Sequence, residues 1–345
     1  MDNNDKKINK ISIIIPVYNG ANVICDCLSS IAKSVIDVPY EIIVIDDGST
    51  DNTKEIALQF PCVYIKIIKS GVAKARNIGI KKASGDILLF FDADVILKED
   101  TLRNFINHFE KDTDAYIIQG RWEKNYPSSS FSTQFLLLRF AYNFESLFDN
   151  EKRLRVAELM TGCLGMRKEV FEHFKGFNES YKFAGGEEFE FGSRLIRKYD
   201  IFYYPDISVF HKFGSLLQTA KKVYFRTTNY SMIVFNVAQK GEFVNLTANS
   251  APNRDRNSVI IVFLFMLNII MFYPSTRVTF LLYIVLSLIY MINVRSFILY
   301  LFKEKGLLFA LKGGVSDLFI TTFKLFGLLK AVTVYYILRQ KNYKI

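Results

Sequence analysis

The sequence predicts an α/β fold, a mostly parallel sheet covered by helices, followed by C-terminal transmembrane or interfacial helices. Three observations support this prediction. The first hundred residues alternate between short apolar runs and segments of helical spacing. The chain has 345 residues and is 50% hydrophobic, which is enough to bury a large core and excludes a disordered or collagen-like protein. Beyond residue 250, uncharged apolar stretches become long enough to span a membrane.

The elements follow a β-α-β-α-β order from residue 11. Strands are predicted by short, nearly continuous apolar runs, ISIIIPVYN, EIIVIDD, VYIKII and DILLFFDAD. Helices are predicted by the spacing of apolar residues in NVICDCLSSIAKS and GVAKARNIGIKKA. Apolar strands that alternate with helices are typical of a parallel sheet covered on both faces.

The excess of positive charge lies in the C-terminal part. The whole chain carries a net charge of +10. Residues 251–345 hold 12 Lys and Arg against 3 Asp and Glu, whereas residues 1–250 are nearly neutral. Basic residues that flank hydrophobic runs are typical of a chain held at an anionic membrane surface. We therefore expect membrane lipids, and no nucleic acid, among the partners.

Two apolar stretches predict a transmembrane helical hairpin. Residues 257–276 contain no charge over 20 residues, and residues 278–294 contain none over 17. A buried core helix is the alternative. Arg254 and Arg256 precede the first stretch, and Arg295 follows the second. Because positive charges favour the cytoplasmic side, both ends of the hairpin are expected there.

The remaining segments complete the predicted organisation. Residues 307–338 are apolar but carry four charges and a Gly-Gly break, so an interfacial or re-entrant helix is preferred to a third membrane helix. Residues 1–250 would form a cytoplasmic domain and residues 251–345 a membrane region, in a multi-pass protein of the inner cell membrane. A helix over about 216–238 would link the two, either on the bilayer surface or packed on the sheet.

Polar side chains follow three of the predicted strands. Ligands of open parallel sheets bind beyond the carboxyl ends of the strands, so the three ends would form one site. The side chains concerned are Pro16, Tyr18 and Asn19 after the first strand, Asp46 and Asp47 after the second, and Asp92 and Asp94 after the last. For the second pair, capping of the next helix is the alternative.

Asp92-Ala93-Asp94 is the short motif that points most specifically to a function. Two carboxylates one residue apart at a strand end can converge on a divalent cation, and hard oxygen ligands suit Mg²⁺ or Mn²⁺. Such a cation would bridge a diphosphate and neutralise it as it leaves. Surface turns are also rich in Asp, but the preceding apolar run ILLFF favours the metal interpretation.

Four segments together resemble glycosyltransferase family 2. They are SIIIPVYNG, EIIVIDDGSTDNT, GVAKARNIGI and GDILLFFDADV, and a looser similarity extends through TGCLGMRKEVFEHFKGFNE to GGEEFEFGSRL. The resemblance implies the GT-A fold and a nucleotide-sugar donor. It also implies a nucleotide-sugar half over about residues 11–100 and an acceptor half over about residues 101–215.

The resemblance implies a binding role for the residues at the strand ends. The residues that would bind the nucleotide sugar are Pro16, Tyr18, Asn19, Asp46, Asp47, Lys74, Arg76 and Asp92. Among them, Tyr18 offers a flat face to a base, and Arg76 offers a fork suited to phosphate. For Arg76 and Lys74, a solvated helix face is the alternative. Asp92 and Asp94 would bind the metal, joined by His211 in SVFHKFG unless that residue is a structural polar group at a strand end.

Glu187 and Glu188 are the candidate catalytic bases. Sugar transfer with inversion needs a base that takes the proton of the acceptor hydroxyl. By resemblance, Glu188 stands where the family usually has an Asp, and its side chain is one methylene longer, so the base is one of the two acids. An exposed acidic turn, with Glu190 paired to Arg194, is the alternative.

These expectations describe a membrane-anchored, metal-dependent, inverting glycosyltransferase. It would transfer a single sugar from a nucleotide-diphosphate sugar to a lipid-linked or cell-surface glycan acceptor, because no Q-x-x-R-W motif of processive synthases follows the catalytic acids. A nucleotidyltransferase and a catalytically silent membrane scaffold are the alternatives. Against a nucleotidyltransferase, the sequence shows no Gly-rich phosphate loop directly after the first strand. Against a silent scaffold, the carboxylates that catalysis would need are all present. The sugar, the acceptor and the oligomeric state are left open.

Overall fold

The structure is a computed structural model that describes residues 7–126, 130–145, 153–156, 158–181, 185–239, 253–271 and 277–338. Its described residues contain a sheet of nine strands in the order β3-β2-β1-β4-β8-β6-β9-β5, with β7 also paired to β9. The strands are β1 Ile11–Val17, β2 Tyr40–Asp46, β3 Val63–Lys66, β4 Ile87–Phe91, β5 Val95–Leu97, β6 Ile117–Trp122, β7 Leu154–Val156, β8 Cys163–Arg167 and β9 Ile201–His211.

The α/β prediction is confirmed, but the sheet is mixed rather than mostly parallel. Strands β1 to β4 pair in parallel, with Ile14 of β1 opposite Ile43 of β2 and Phe90 of β4. Strand β8 then lies antiparallel between β4 and β6, and β5 and β7 run antiparallel to β9. Beyond β4 the sheet is mixed, because β6 and β9 pair in parallel while β8, β5 and β7 each pair antiparallel to a neighbour. An apolar run shows that a strand is buried on both faces but does not show its direction.

Helices cover both faces of the sheet. Those of the N-terminal domain are α1 Ile24–Ala32, α2 Thr53–Ala57, α3 Val72–Lys82, α4 Thr101–Lys111, α5 Phe131–Glu145, α6 Lys168–Phe174 and α7 Glu187–Leu195. Successive residues of β1 face opposite sides, as the pleat requires. Ile13 joins a core cluster with Leu28 and Phe105, whereas Ile14 joins another with Phe90 and Phe191. This two-sided burial is why β1 is apolar at nearly every position.

Long helices form the C-terminal part. They are α8 Leu216–Gln239, α9 Asn253–Met271, α10 Arg277–Lys305 and α11 Leu307–Val332, which a π-helical turn, Thr333–Ile337, extends. Helix α8 agrees with the predicted linking helix. It packs along α11, where Gly327 lies against the backbone of Tyr224 and the Tyr335 hydroxyl donates to the carbonyl of Phe235 at 3.1 Å.

Helices α9 and α10 correspond to the predicted hairpin. Residues 272–276, its predicted tip, lie outside the described residues. Helix α10 continues past the predicted end at residue 294, and Phe297 and Leu301 pack on Phe135 of α5. Two segments, Leu281–Lys305 and Leu307–Ile337, are long and apolar enough to cross a membrane, judged by length and composition.

A buried ion cluster joins the C-terminal helices to the N-terminal domain. It consists of Arg139 on α5, Arg254 and Asp255 on α9, and Asp317 and Lys324 on α11. The Arg139 guanidinium donates to Asp317 at 2.7 Å and to Asp255 at 2.9 Å. Arg254 and Lys324 also donate to Asp255. Three elements far apart in sequence are therefore tied together by charged hydrogen bonds.

We expect Asp317→Ala to destabilise the protein by about 3–5 kcal/mol, because breaking a buried ion pair leaves the partner charge without compensation. Asp317 is almost fully buried, and Arg139 would lose one of its two carboxylate partners. Unfolding of the purified protein in detergent measures the effect. Asp26→Ala on α1, where the carboxylate is exposed, is the matched control. Equal stability of the two variants would contradict the prediction.

Candidate active site

The carboxyl ends of three parallel strands meet at one edge of the sheet. Strand β1 lies between β2 and β4 and pairs in parallel with both. The segments after these strands therefore lie side by side, as the sequence predicts. The site is built from them, from the start of α7 and from the end of β9.

Tyr18 and Asn19 lie in the turn after β1. Tyr18 is 44% exposed, and the Lys69 ammonium lies 3.4 Å from the centroid of its ring. Asn19 has a φ of 48°, and its side-chain oxygen accepts the N–H of Thr50 at 2.9 Å. Pro16 is buried within β1 itself. Tyr18 is thus the residue of this strand end that offers an open face to a flat ring.

Asp46 and Asp47 bind backbone groups of the loops around them. Asp46 is fully buried, and it accepts the N–H of Ser49 at 2.7 Å and the hydroxyl of Tyr64. Asp47 accepts the backbone N–H groups of residues 70–71 at 2.6 and 2.9 Å, just before α3. None of the surface of Asp46 is exposed, so its contact with the nucleotide stays a prediction that this geometry does not favour. Asp47 keeps a small exposed area and fixes the entry to α3.

Arg76 lies beneath the site rather than in it. Its guanidinium is almost fully buried and donates to Glu187 at 2.9 Å and to Asp92 at 3.1 Å, with Glu188 at 3.8 Å. The contact of Arg76 with the diphosphate stays a prediction, since both terminal nitrogens of its guanidinium face carboxylates of the protein. Arg76 holds the acids of α7 beside the end of β4. Lys74 is half-buried on the same helix and takes part in none of these ion pairs.

Glu187 is part of the scaffold at the start of α7. One carboxylate oxygen accepts the N–H groups of Gly185 at 2.8 Å and Gly186 at 3.0 Å, and the other is paired with Arg76. Gly185 has a φ of 112°, a conformation that only glycine adopts readily. Glu187 is fully buried and engaged with the protein itself, and its predicted role as a catalytic base stays a prediction that this geometry does not favour.

Glu188 is the acid that reaches the site. Its side chain is 13% exposed, and the Thr161 hydroxyl donates to it. Burial, reinforced by the neighbouring Glu187 carboxylate, raises the pKa of Glu188. A carboxylate with a raised pKa accepts a proton more readily than an ordinary exposed Glu does. The structure thus distinguishes the two acids that the sequence leaves equivalent.

Asp94 and His211 face each other across a gap. Strand pairing sets this geometry, because Val95 of β5 lies opposite His211 of β9. Nε2 of His211 lies 3.5 Å from a carboxylate oxygen of Asp94, too far for a good hydrogen bond. Burial raises the pKa of Asp94 and lowers that of His211. Burial therefore favours the neutral imidazole, the form that binds metal ions.

These residues fit a divalent cation. Asp94 supplies a hard oxygen ligand, His211 supplies a nitrogen, and Asp92 lies two residues before Asp94 with a side chain that is 36% exposed. The part of the chain that the structure describes contains no group of three His, Cys, Asp or Glu side chains at metal-binding spacing. Mg²⁺ and Mn²⁺ bound to nucleotides commonly take one or two carboxylates and complete their coordination with phosphate oxygens and water. The donor set is therefore sufficient.

Helix α8 contributes two positively charged side chains to the site. Neither was predicted there from the sequence. Lys222 interacts electrostatically with Asp94 and His211, and Arg226 interacts with Glu188. Arg226 lies so close to Gly185 that a Cβ atom at residue 185 would be 2.4 Å from its Cγ atom. The available signal was the spacing of four residues between Lys222 and Arg226, which puts both on one face of the helix.

Comparison with known proteins identifies the domain. Residues 12–174 match the family profile described as "Glycosyl transferase family 2", and residues 144–212 match "N-terminal domain of galactosyltransferase". The chain contains a glycosyltransferase family 2 domain. This domain includes β1 to β4 and the Asp92–Asp94 segment, while Glu187, Glu188 and His211 fall within the second match.

Individual relatives match about a third of the chain. Glycosyltransferase AglE of Haloferax volcanii is 35% identical over 131 residues, which are 36% of this chain and 43% of that protein. Poly(ribitol-phosphate) beta-N-acetylglucosaminyltransferase TarS of Staphylococcus aureus is 32% identical over 134 residues, 35% of this chain and 23% of that protein. The chain thus spans less than half the length of either relative.

A solved structure shares the fold over nearly the whole chain. Mannosyltransferase PcManGT from Pyrobaculum calidifontis, in complex with GDP-Man and Mn²⁺, superposes with a TM-score of 0.65. The superposition covers 94% of this chain and 87% of that chain at 16% sequence identity. At this identity the likeness shows a shared fold, which here extends beyond the sheet to C-terminal helices.

Proposed function

We propose that the protein transfers a single sugar, with inversion, from a nucleotide-diphosphate sugar to an acceptor hydroxyl. The observation that carries the proposal is the position of Glu188. This partly exposed carboxylate lies close to Asp92, because the Arg76 guanidinium contacts both acids. It therefore also lies close to the gap between Asp94 and His211. A proton acceptor next to a cation site is what inverting transfer requires, because deprotonation of the acceptor and departure of a diphosphate occur together.

Each part of the site has one task in this reaction. The open ring of Tyr18 receives the base of the donor. Asp92, Asp94 and His211 would hold Mg²⁺ or Mn²⁺, which supplies neutralising charge to the diphosphate when bound. Glu188 takes the proton of the attacking hydroxyl, and the buried Glu187 fixes the backbone that presents Glu188.

The acceptor is a lipid-linked or cell-surface glycan, and the catalytic domain lies on the cytoplasmic face of the inner membrane. Two features support this. The C-terminal helices include two segments long enough to span a bilayer, and both ends of the predicted hairpin carry basic residues, Arg254 and Arg256 before it and Arg295 after it, as expected at a cytoplasmic surface. One relative, TarS, is named as a transferase that acts on poly(ribitol-phosphate).

Product analysis tests the proposal. The full chain in detergent is incubated with a panel of nucleotide-diphosphate sugars, Mn²⁺ and a lipid-linked glycan extract. Release of a nucleoside diphosphate that depends on the extract is the expected result. In a parallel reaction with a nucleoside triphosphate and a sugar 1-phosphate, release of pyrophosphate would instead indicate a nucleotidyltransferase. A protein that releases neither product with any donor would be the silent scaffold.

Lys222 is expected to contribute to donor binding. Its ammonium lies near Asp94 and His211 and would meet the diphosphate that these residues help to hold. We expect Lys222→Ala to weaken nucleotide-sugar affinity roughly 10-fold, the size of one charged hydrogen bond. Calorimetry with the donor found in the product assay measures it. Lys221→Ala, an exposed neighbour on the same helix, is the control, and an equal loss in both variants would contradict a specific contact.

A further inference from the structure

The end of β6 places an unpaired hydrogen-bond donor beside the candidate site. Trp122 is the last residue of this strand and lies opposite Val209 of β9. The nitrogen of its indole ring, Nε1, is buried, and no atom of the residues that the structure describes accepts its hydrogen. Buried donors are nearly always paired, because an unpaired one loses its hydrogen bond to water without replacement. The indole N–H is therefore expected to have a partner that these residues do not supply.

The indole ring is held in place on several sides. Its centroid lies 4.2 Å from that of Phe140, 5.0 Å from that of His211 and 5.2 Å from that of Phe213, which meets it edge-on. The next residue, Glu123, continues the pairing with β9, because its N–H donates to the carbonyl of Val209 at 2.8 Å. A ring packed in this way does not turn freely, so the fold sets the direction of its N–H.

The indole N–H and a carboxylate oxygen of Asp92 border one space above Gly162. A Cβ atom at this glycine would be 3.0 Å from Oδ2 of Asp92 and 3.8 Å from Nε1 of Trp122. The other oxygen of Asp92 accepts from Arg76 at 3.1 Å. The Asp92 side chain is 36% exposed, so its carboxylate can be reached from the site. The absence of a side chain at residue 162 keeps the space between the two groups free.

The two groups together select a hydroxyl. A hydroxyl can donate to a carboxylate and accept from an N–H at the same time. A phosphate oxygen only accepts and would be repelled by Asp92, whereas a cation would be repelled by the hydrogen on Nε1 of Trp122. An oxygen atom at the Cβ position would be within hydrogen-bond distance of the carboxylate, and a shift of about 1 Å would bring it within reach of the indole N–H. The space therefore fits an alcohol group of a ligand.

This space lies between the candidate base and the candidate cation site. Thr161, the residue before the glycine, donates to Glu188. The indole ring of Trp122 packs on His211, which borders the gap proposed for the cation. The transferred sugar is joined to the diphosphate on one side and is attacked by the acceptor on the other, so it has to lie between these two groups. The ligand hydroxyl nearest to the indole is thus one carried by that sugar.

We propose that Trp122 is a specificity-determining residue for the transferred sugar, whose hydroxyl accepts the indole N–H and donates to Asp92. This inference rests on the proposed function. The carboxylate oxygen of Asp92 has two lone pairs, so the hydrogen bond leaves a position for a cation. A donor whose sugar lacks this hydroxyl leaves the indole N–H unpaired and binds more weakly. The nucleotide itself does not contact the indole.

Binding measurements that separate the sugar from the nucleotide test the proposal. The full chain in detergent with Mn²⁺ is titrated by calorimetry with UDP-, GDP- and TDP-sugars, and with the corresponding nucleoside diphosphates. Trp122→Phe keeps an aromatic ring but removes the N–H. We expect it to weaken nucleotide-sugar affinity roughly 10-fold and to leave nucleoside-diphosphate affinity unchanged. Gly162→Ala, which fills the space with a methyl group, should have the same selective effect.

Phe140→Leu is the matched control, because it changes the packing of the same indole ring without removing a polar group. It should not distinguish the nucleotide sugar from the nucleoside diphosphate. Thermal unfolding checks the fold of each variant, and Gly162→Ala keeps the proposal testable if Trp122→Phe is unstable. Among deoxy analogues of the bound donor, the one that lacks the contacted hydroxyl should bind the parent protein and Trp122→Phe equally.

Fluorescence gives a second measurement that needs no turnover, because Trp122 is the only tryptophan of the chain. With Mg²⁺ present throughout, we expect the nucleotide sugar to change the emission more than the nucleoside diphosphate does. Trp122→Phe and Gly162→Ala that leave the preference for the nucleotide sugar unchanged would overturn the inference and leave the proposed function standing. A protein that binds none of these nucleotide sugars would contradict the proposed function and the inference together.

Discussion

Glu188→Gln lowers turnover by about 10²–10⁴-fold, the usual contribution of a general base, while donor affinity stays nearly unchanged. The amide matches the carboxylate in size and can still accept the hydrogen bond from Thr161. It cannot take a proton from the acceptor. Product formation measures turnover, and calorimetry with the donor measures affinity.

Glu187→Gln is the matched comparison, and its expected effect differs in kind. Glu187 is paired with Arg76 and accepts two backbone N–H groups of the Gly185-Gly186 hinge. Removing its charge leaves a buried guanidinium less compensated, so we expect a lower unfolding temperature as well as lower activity. Glu188→Gln should change the unfolding temperature by no more than a typical surface substitution does. Normal turnover in Glu188→Gln would reject this residue as the base.

The meeting of the strand ends could be predicted because it depends on local patterns. Apolar runs identify the strands, and the parallel order of β1, β2 and β4 brings Tyr18, Asp47 and Asp92 to the same edge. Resemblance to the family then supplied the candidate acids and His211. These predictions needed no knowledge of contacts between residues distant in sequence.

The functions of individual charged residues could not be predicted in the same way. Arg76 and Glu187 are 111 positions apart, yet their side chains are paired with each other in the fold. The buried Asp46 carboxylate accepts a hydrogen bond from the Tyr64 hydroxyl on the neighbouring strand. A charged side chain looks available in a sequence until its partner is known, and the partner is set by the tertiary fold.

The C-terminal helices illustrate the same limit on a larger scale. Length and composition allow residues 307–337 to cross a membrane, whereas charge counting favours the interface. The ion cluster around Arg139 links this segment to α5, a contact that neither length nor charge counting could indicate. It depends on three elements that only the fold brings together.

Asp94→Asn is expected to remove most metal-dependent activity while the protein still folds. Burial raises the pKa of Asp94, so its charged form is not favoured by the fold, and a neutral Asn is tolerated. The substitution removes the carboxylate that lies 3.5 Å from Nε2 of His211. Because a bound cation stabilises the departing diphosphate by several kcal/mol, we expect turnover to fall by about 10²-fold or more.

Two measurements separate loss of the cation from loss of structure. Binding of Mn²⁺ is followed through the spectroscopic signal of the free ion, and thermal unfolding reports the fold. Asp94→Asn should bind Mn²⁺ more weakly, with an unfolding temperature close to that of the parent protein. Asp26→Asn, at an exposed carboxylate of α1, should change neither quantity. Undiminished Mn²⁺-dependent turnover in Asp94→Asn would exclude this residue as a metal ligand, and the diphosphate would then depend on Lys222 and Arg226 of α8 for its neutralisation.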